Sequence, residues 1–377
     1  MPRVFLTRCE SYEPRAVRAG VEAAFDAFDA ARHLRPGTRV LVKPNMLSAM
    51  PPERAVTTHP AVVEAVLRLL ADCGAAVCVG DSPGIGSCRR VAERAGIAEV
   101  VERFGAKLIE FDQSVEVATP GDSLFRRIEV ARAAVEAEAI INLPKFKTHG
   151  QMVLTMAVKN LFGCVVGPRK AQWHVAAGRD REAFARLLLE LARLLAPRLN
   201  LVDGVTGMDG NGPSAGRVRP VNVLLAGEDA LAVDRVAARL AGLAEDSFPL
   251  VCAARKSASF APSLGPVEII GAPAEGLQLK DFVLPANVDA QFGPRVLRRF
   301  LKRAVAARPR VNRRACRQCG VCVKHCPPEA MRLAKGRVQI DHALCISCFC
   351  CQEMCPQQAI SIRRGMLARL VIRRSAP

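Results

Sequence analysis

The 377-residue sequence has few aromatic residues, with one tryptophan, one tyrosine and 5% aromatics in all. Neither the tryptophan nor the tyrosine lies in the most basic segments. Because proteins that bind single-stranded nucleic acid stack bases on aromatic side chains, this scarcity argues against a nucleic-acid partner. The sequence also lacks a run of 18 apolar residues, the length that predicts a membrane-spanning helix. Its first residues lack the apolar run of a secretory signal.

The two commonest nucleotide-binding motifs are absent as well. The segment Gly80-Asp-Ser-Pro-Gly84-Ile-Gly86 follows a predicted strand, but its glycines do not have the G-x-G-x-x-G spacing of a dinucleotide site. No G-x-x-x-x-G-K-[ST] run occurs anywhere. A nicotinamide, flavin or nucleoside triphosphate site therefore has no support from motifs.

Cysteine, in contrast, is abundant, with 15 residues in the chain. Two runs near the C-terminus have the spacing C-x2-C-x2-C-x3-C-P, which bacterial two-cluster ferredoxins use. In that pattern the first three thiols of one run and the fourth thiol of the other run bind the same cluster. The spacing therefore predicts two [4Fe–4S] clusters. Their ligands are assigned as Cys316, Cys319, Cys322 and Cys355 for one cluster and Cys345, Cys348, Cys351 and Cys326 for the other.

A pair of zinc sites is the alternative, since paired C-x2-C groups often bind zinc. Zinc takes four ligands and does not require a third C-x2-C step followed by C-x3-C-P, so the clusters are favoured. The repeat also continues past the ligands, because residues 327–333 match residues 356–362 in pattern. The whole segment resembles a bacterial-type ferredoxin domain. Cys350 has no place in the pattern and is predicted to be a packed thiol rather than a spare ligand.

The formal net charge of +18 is concentrated at one end of the chain. Residues 291–377 contain 19 Lys and Arg but three Asp and Glu. This local excess predicts an acidic redox partner protein. Two Arg-rich segments, near 294–307 and after 363, also have apolar residues at helical spacing, which suits peripheral contact with an anionic membrane surface or packing against the protein. Clusters together with unpaired thiols predict a reducing, cytoplasmic location.

Residues 1–290 alternate short apolar runs with helical patterns, which predicts an α/β fold. Residues 1–272 are assigned to a large, mostly α/β front domain, and residues 273–313 to a basic linker with an amphipathic helix. Residues 314–364 are assigned to a ferredoxin-like α+β module with two [4Fe–4S] clusters, and 365–377 to a basic C-terminal tail.

Polar side chains are dense where the predicted strands of the front domain end. In open α/β sheets, ligands bind beyond the carboxyl ends of the strands, so these side chains are expected to share one site. Lysines suit a phosphate or carboxylate, and His with Asp suits a proton relay or a metal, although any single residue could instead cap a helix or lie in solvent. The predicted catalytic residues are Lys145, Lys147, His149 and Lys159. The predicted ligand-binding residues are Lys43, Asn45, His59, Asp81, Asn160 and Asp203.

Two polar stretches of the front domain, 142–150 and 203–214, are expected to be loops, because Asn, Asp, Gly, Pro and Lys dominate them. One further histidine and one aspartate are given no role in the predicted site. His174, beside Trp173, fits a plain core or surface histidine. Asp234 falls within a predicted helix.

Five motifs in a fixed order carry a resemblance to a known family. The chain resembles the "domain of unknown function 362" family over residues 3–272, and members often carry a two-cluster ferredoxin module behind that domain. The resemblance implies that these motifs form one domain with one site, and it assigns no catalytic role. The motifs are Lys43-Pro44-Asn45, Gly80 to Gly84, Leu143 to His149, Val158 to Gly163, and Asp203-Gly204 through Asn211 to Ser214.

Two classes of function follow. The first is an iron–sulfur oxidoreductase, or its electron-delivery component, which passes low-potential electrons between a redox partner and a small anionic ligand or substrate in the front domain. The second is a non-catalytic adaptor or binding protein that docks on a separate enzyme or an anionic surface.

Overall fold

The computed structural model describes residues 1–32, 34–285 and 307–363. The front domain is built on a ten-stranded sheet with helices on both faces. Apolar residues on each face form a separate core, one centred on Phe184 and Leu188 and the other on Phe25 and Val66. The sheet strands are β1 (Arg3–Arg8), β2 (Arg39–Pro44), β3 (Ala76–Asp81), β4 (Lys107–Glu110), β7 (Ala139–Leu143), β8 (Lys145–His149), β9 (Val153–Thr155), β10 (Leu199–Asp209), β11 (Arg217–Gly227) and β12 (Glu268–Gly271). Strands β5 (Ser114–Ala118) and β6 (Arg127–Ala131) form a separate hairpin.

The strand order is β12-β1-β11-β10-β7-β2-β3-β4, and β8 and β9 extend from β10. Strands β10, β7, β2, β3 and β4 run parallel. From β2 the chain adds β3 and β4 on one side and then returns to place β7 on the other. This reversal between β2 and β7 creates the crevice where ligands bind in doubly wound sheets. The predicted α/β class is thus confirmed.

The helices of the front domain follow amphipathic patterns with local caps. In the second helix, Pro60 occupies the first position and His59 Nδ1 accepts from the backbone N–H of Ala61 at 3.2 Å. The helices are α1 (Pro14–Ala27), α2 (Pro60–Asp72), α3 (Cys88–Arg94), α4 (Ile97–Arg103), α5 (Arg132–Glu136), α6 (Ala157–Asn160), α7 (Arg169–Ala177), α8 (Arg181–Leu195), α9 (Ala230–Leu240), α10 (Pro249–Ala254) and α11 (Ala261–Leu264).

The expectation that 142–150 and 203–214 are loops is wrong in part. Residues 145–149 form β8, which is buried along its whole length, and β10 continues to Asp209. These polar stretches can form buried strands because their backbone N–H and C=O groups form hydrogen bonds with neighbouring strands. Their side chains form hydrogen bonds and ion pairs with polar groups inside the protein. Composition alone cannot show those partners, since they come from distant parts of the chain.

The C-terminal module consists of two small antiparallel sheets and two short helices. Strands β14 (Met331–Ala334) and β15 (Arg337–Ile340) pair, and each half contributes one helix, Val321–Lys324 or Cys350–Glu353. Strand β13 (Arg308–Val311) pairs with β16 (Ile360–Arg363). Residues 308–311, placed in the linker by sequence, thus lie in the module's own sheet. The predicted amphipathic segment 294–306 and the basic tail 365–377 lie outside the described residues.

Candidate functional site

The candidate site lies at the carboxyl edge of the parallel strands, around the β2/β7 crevice. Lys43 lies near the end of β2 and Asp81 at the end of β3, and both side chains are buried. Lys43 Nζ lies 2.9 Å from Asp81 Oδ1. Burying two charges is stabilising only with such pairing and additional hydrogen bonds, and Asp81 Oδ2 also accepts from the backbone N–H of Met46 at 2.8 Å.

Asn160, from helix α6, joins the ends of three neighbouring segments. Its Nδ2 donates to Asn142 Oδ1 at 2.8 Å, and its Oδ1 accepts from Asn45 Nδ2 at 3.0 Å and from Lys43 Nζ at 3.4 Å. Asn45 Oδ1 in turn accepts from Lys147 Nζ at 2.6 Å. The structure therefore brings the predicted residues Lys43, Asn45, Asp81, Lys147 and Asn160 into one connected network.

Gly163 is required beside the buried ion pair. A Cβ at this position would clash with Asp81 Oδ1 and lie 2.5 Å from Lys43 Nζ. Because both groups are buried and held by partners, we expect Gly163→Ala to lower the free energy of unfolding by roughly 1–3 kcal/mol. Chemical denaturation measures this. Gly121→Ala, where an added Cβ meets no atom within 4 Å, is the control and is expected to change stability by less than about 0.5 kcal/mol. Equal stability of the two variants would contradict the prediction.

A second buried ion pair joins β8 to β10. Lys145 Nζ lies 2.8 Å from Asp203 Oδ2 and also donates to the Tyr12 hydroxyl, which donates to Asp203 Oδ1 at 2.8 Å. Burial lowers the pKa of Lys145, and Asp203 offsets part of that shift. The His59 ring stacks on Tyr12 at 3.5 Å between centroids, and the His59 backbone N–H donates to Asp203. Here His59 has a structural role as well, because its Nδ1 caps α2.

His149, at the end of β8, is held in one tautomer. Its Nδ1 accepts from the backbone N–H groups of Gln151 and Met152 at 3.0 and 3.1 Å, so the proton resides on Nε2. That Nε2 lies 2.8 Å from the carboxylate of Glu353, which belongs to the C-terminal module. Burial lowers the pKa of His149, and the nearby Glu353 carboxylate offsets part of that shift.

The module thus docks directly on the candidate site through the helix Cys350–Glu353. Gln352 Nε2 donates to the carbonyl oxygen of Asn211 at 2.7 Å, and Arg179 donates to three carbonyl groups within 342–345. Both contacts join the front domain to the module. The predicted ligand-binding residues and the residues that bear the thiols therefore meet at one interface.

Glu353 is the acidic centre of this interface. Burial alone would raise the pKa of its carboxyl group, but His149, Lys159 and His174 outweigh burial and hold the pKa at about 2. Burial lowers the pKa of Lys159, whose ammonium group lies over the Phe162 ring at 4.8 Å. Lys159 also lies in the electrostatic field of Cys350, a buried thiol, as predicted, beside Cys348.

The cysteine thiols fall into two groups in space. Cys316, Cys319, Cys322 and Cys355 line one small cavity. Cys351 and Cys326 lie near enough to Cys345 and Cys348 for those two thiols to raise their pKa values. Among the described residues, no three His, Cys, Asp or Glu side chains are close enough together to hold a single metal ion. The division follows the interleaved spacing, and the binding of a cluster by each group stays a prediction.

Five residues of the site were missed by sequence reasoning or given no role there. Glu353 could have been noticed as one of three acidic residues in the strongly basic stretch 291–377. Gly163 ends one of the family motifs but was given no role, and Tyr12 has no signal because its partners lie far away in the sequence. His174 is buried and stacks on Phe184 at 4.4 Å, as a core histidine would. Asp234 accepts from the backbone N–H groups of α6, and burial raises its pKa to about 8.

An α/β domain joined to a ferredoxin-type module is the class that this fold and site define. Residues 308–356 match the 4Fe-4S dicluster domain family, and residues 40–239, more than half of the chain, match the family described as "Domain of unknown function (DUF362)". The chain therefore belongs to the DUF362 family and carries a 4Fe-4S dicluster domain. Both features confirm the resemblance that the motifs carry.

One curated relative covers most of the chain. It is "Thylakoid-associated protein sll1697" of Synechocystis sp. (strain ATCC 27184 / PCC 6803 / Kazusa), which is 36% identical over 302 residues, or 79% of this chain and 93% of that protein. No described helix has both the length and the apolar character that a membrane span requires.

Two solved structures resemble the chain more distantly. A Thermotoga maritima protein superposes with a TM-score of 0.41 at 15% identity, covering 63% of this chain and 61% of its own. The lactate racemase apoprotein from Thermoanaerobacterium thermosaccharolyticum gives a TM-score of 0.43 at 12% identity, covering 64% and 57%. The chain thus spans about three fifths of the length of each of these two proteins.

Proposed function

We propose that this chain is an iron–sulfur electron-transfer protein in which the C-terminal module delivers low-potential electrons to a ligand or substrate held by the front domain. It acts as an oxidoreductase or as the electron-delivery component of one. The position of Glu353 carries this proposal. Glu353 lies between the thiols Cys351 and Cys355 in sequence, and its carboxylate contacts His149 at the centre of the front-domain site.

The two thiol groups support the assigned ligand sets. Cys316, Cys319, Cys322 and Cys355 would hold one [4Fe–4S] cluster, here called the outer cluster, because Cys319 is exposed. Cys326, Cys345, Cys348 and Cys351 would hold the inner cluster, since Cys348 and Cys351 are buried beside the interface helix. When bound, such clusters accept and release one electron at a time. Electrons would enter at the outer group and leave at the inner group.

A basic groove beside the outer group suits an acidic redox partner protein. Four exposed arginines, Arg310, Arg313, Arg314 and Arg363, line it together with the apolar side chains of β15. None of these four arginines forms an ion pair with any residue that the structure describes. Complementary charge would speed the encounter at low ionic strength and orient the donor towards the exposed thiol.

We expect the double variant Arg313→Glu/Arg314→Glu to be reduced at least about tenfold more slowly than the wild type by a prereduced acidic ferredoxin at low salt. Stopped-flow absorbance of the clusters under anaerobic conditions measures this rate. The wild-type rate should also fall steeply as salt is raised, because screening weakens the attraction. The control is Arg89→Glu/Arg90→Glu, an equally exposed pair on the front domain. If both double variants lose rate equally, or if the wild-type rate ignores salt, this partner assignment fails.

A non-catalytic adaptor is the second candidate. It is favoured by the internal pairing of Lys43 with Asp81 and of Lys145 with Asp203, which leaves those lysines engaged within the protein. The cytoplasmic location stays a prediction. Peripheral contact with an anionic membrane also stays a prediction, in keeping with the name of the thylakoid-associated relative. Turnover of a small-molecule acceptor by the reduced protein distinguishes an enzyme from an adaptor.

A further inference from the structure

Four lysines of the front domain form a cluster that we call the lysine pocket: Lys43, Lys147, Lys159 and Lys170. They come from β2, β8, α6 and α7 and lie close enough to affect one another, since the charge of Lys159 lowers the pKa of both Lys147 and Lys170. Lys145 is not counted in the lysine pocket, because its charge is balanced by Asp203 of β10.

The carboxylates around the lysine pocket are fewer than its ammonium groups. Asp81 and Glu353 are the two whose charges act on it. Asp81 pairs with Lys43 at 2.9 Å, and the Glu353 carboxylate lies 2.8 Å from His149 Nε2. Four lysines thus face two carboxylates, so two positive charges lack a counter-charge whenever all four lysines are protonated.

The remaining lysines lack partners that would balance this charge. Lys147 Nζ donates to Asn45 Oδ1 and to the carbonyl oxygen of Val56, and Lys170 Nζ donates to the carbonyl oxygen of Ser82; all three acceptors are uncharged. Lys159 forms neither a hydrogen bond nor an ion pair with the residues that the structure describes and lies over aromatic rings. A buried ammonium group without a counter-charge either loses its proton or binds an anion.

An unpaired imidazole nitrogen beside the pocket is an independent sign of a missing ligand. His174 is 5% exposed, and its Nδ1 has no hydrogen-bond partner within the described part of the chain. Its ring packs on Phe184, one of the rings beneath the Lys159 ammonium, and the charge of Lys159 acts on it. Buried polar atoms are nearly always hydrogen-bonded, so an orphan here indicates a group that completes the site.

We propose that Lys147, Lys159 and Lys170, together with His174, bind a small dianion, either a phosphate or a dicarboxylate, beside the inner thiol group. The two negative charges of the dianion would balance the two lysine charges that lack a counter-charge. The oxygens of the dianion would accept hydrogen bonds from the lysine ammonium groups and the imidazole N–H. The role of this dianion as the electron acceptor rests on the proposed function. Its binding does not, because binding requires no electron transfer.

The lowered pKa values of two of these lysines support the proposal. Burial, followed by neighbouring positive charge, lowers the pKa of Lys147 to about 7, and burial lowers that of Lys170 to about 7 as well. A bound dianion would favour the charged form of both lysines.

The test is isothermal titration of the anaerobically purified full chain with inorganic phosphate, with succinate and with chloride at matched ionic strength. We expect saturable binding of phosphate or succinate, and no saturable binding of chloride. Binding of phosphate alone assigns a phosphate ligand, and binding of succinate alone assigns a dicarboxylate. Lys159→Met should weaken binding at least about tenfold, because it removes a central positive charge. Lys170→Met provides a second variant, and circular dichroism verifies that each is folded.

The matched control is Lys107→Met, which removes an exposed lysine of β4. It should bind the dianion as the wild type does. If neither dianion binds saturably, if chloride binds equally well, or if both pocket variants bind like Lys107→Met, the proposal is overturned. Saturable binding without any electron transfer to the ligand would leave the binding site intact and reject the proposed function instead.

Discussion

The variant Glu353→Lys is expected to detach the C-terminal module from the front domain. It replaces a carboxylate, 2.8 Å from His149, with a third positive side chain near Lys147 and Lys159. Removing the carboxylate that offsets these buried lysines, and adding a like charge beside them, should cost about 3–5 kcal/mol. Hydrogen exchange should show lost protection in β8, and thermal unfolding should separate into two transitions.

Glu329→Lys is the control for this variant, since it makes the same charge change at an exposed site of the same module. It should leave both protection and cooperativity unchanged. The iron content of Glu353→Lys should equal that of the wild type, because Glu353 is not an assigned ligand. A Glu353→Lys protein that keeps full protection of β8 and a single transition would show that the carboxylate does not hold the two parts together.

The pair Lys145–Asp203 is expected to be the strongest single ion pair in the front domain. Both side chains are buried, so Lys145→Met leaves Asp203 in the interior without its cation and should lower the free energy of unfolding by about 3–5 kcal/mol. A double-mutant cycle with Asp203→Asn should give a coupling energy of at least about 2 kcal/mol. Urea denaturation of the four proteins supplies the values.

The exposed pair Arg18–Glu22 is the matched control for that cycle. Its coupling, from Arg18→Met and Glu22→Gln, should be below about 0.5 kcal/mol, because solvent screens exposed charges. Similar coupling energies for the two pairs would mean that burial does not strengthen the Lys145–Asp203 contact, and the role assigned to it would be wrong.

Much of this architecture could be predicted from sequence because local patterns specify it. Apolar runs that alternate with helical patterns predict the α/β class. The cysteine spacing gave the two thiol groups, since three ligands of each cluster lie within seven residues of one another. Lys43 and Asp81 could be predicted to lie near one another, because each lies at the carboxyl end of a strand in an open α/β sheet.

Features that depend on distant partners could not be predicted. The stretch 145–149 looked like a loop because its charges seemed to need solvent, whereas Asp203, Asn45 and Glu353 satisfy them inside the protein. The contact between the module and the site could not be predicted either, because Glu353 and His149 lie 204 positions apart in the sequence. Local propensity carries no information about such pairs.

The central claim is that the C-terminal thiols hold two [4Fe–4S] clusters, one of them against the front-domain site. The most direct test is iron and sulfide analysis of anaerobically reconstituted protein, followed by a reductive titration watched by electron paramagnetic resonance. We predict about eight iron atoms per chain and two low-potential signals that interact with each other. Glu353→Lys should shift only the signal lost in Cys351→Ser. Two zinc ions in place of iron, about four iron atoms, or no signal on reduction would contradict the account.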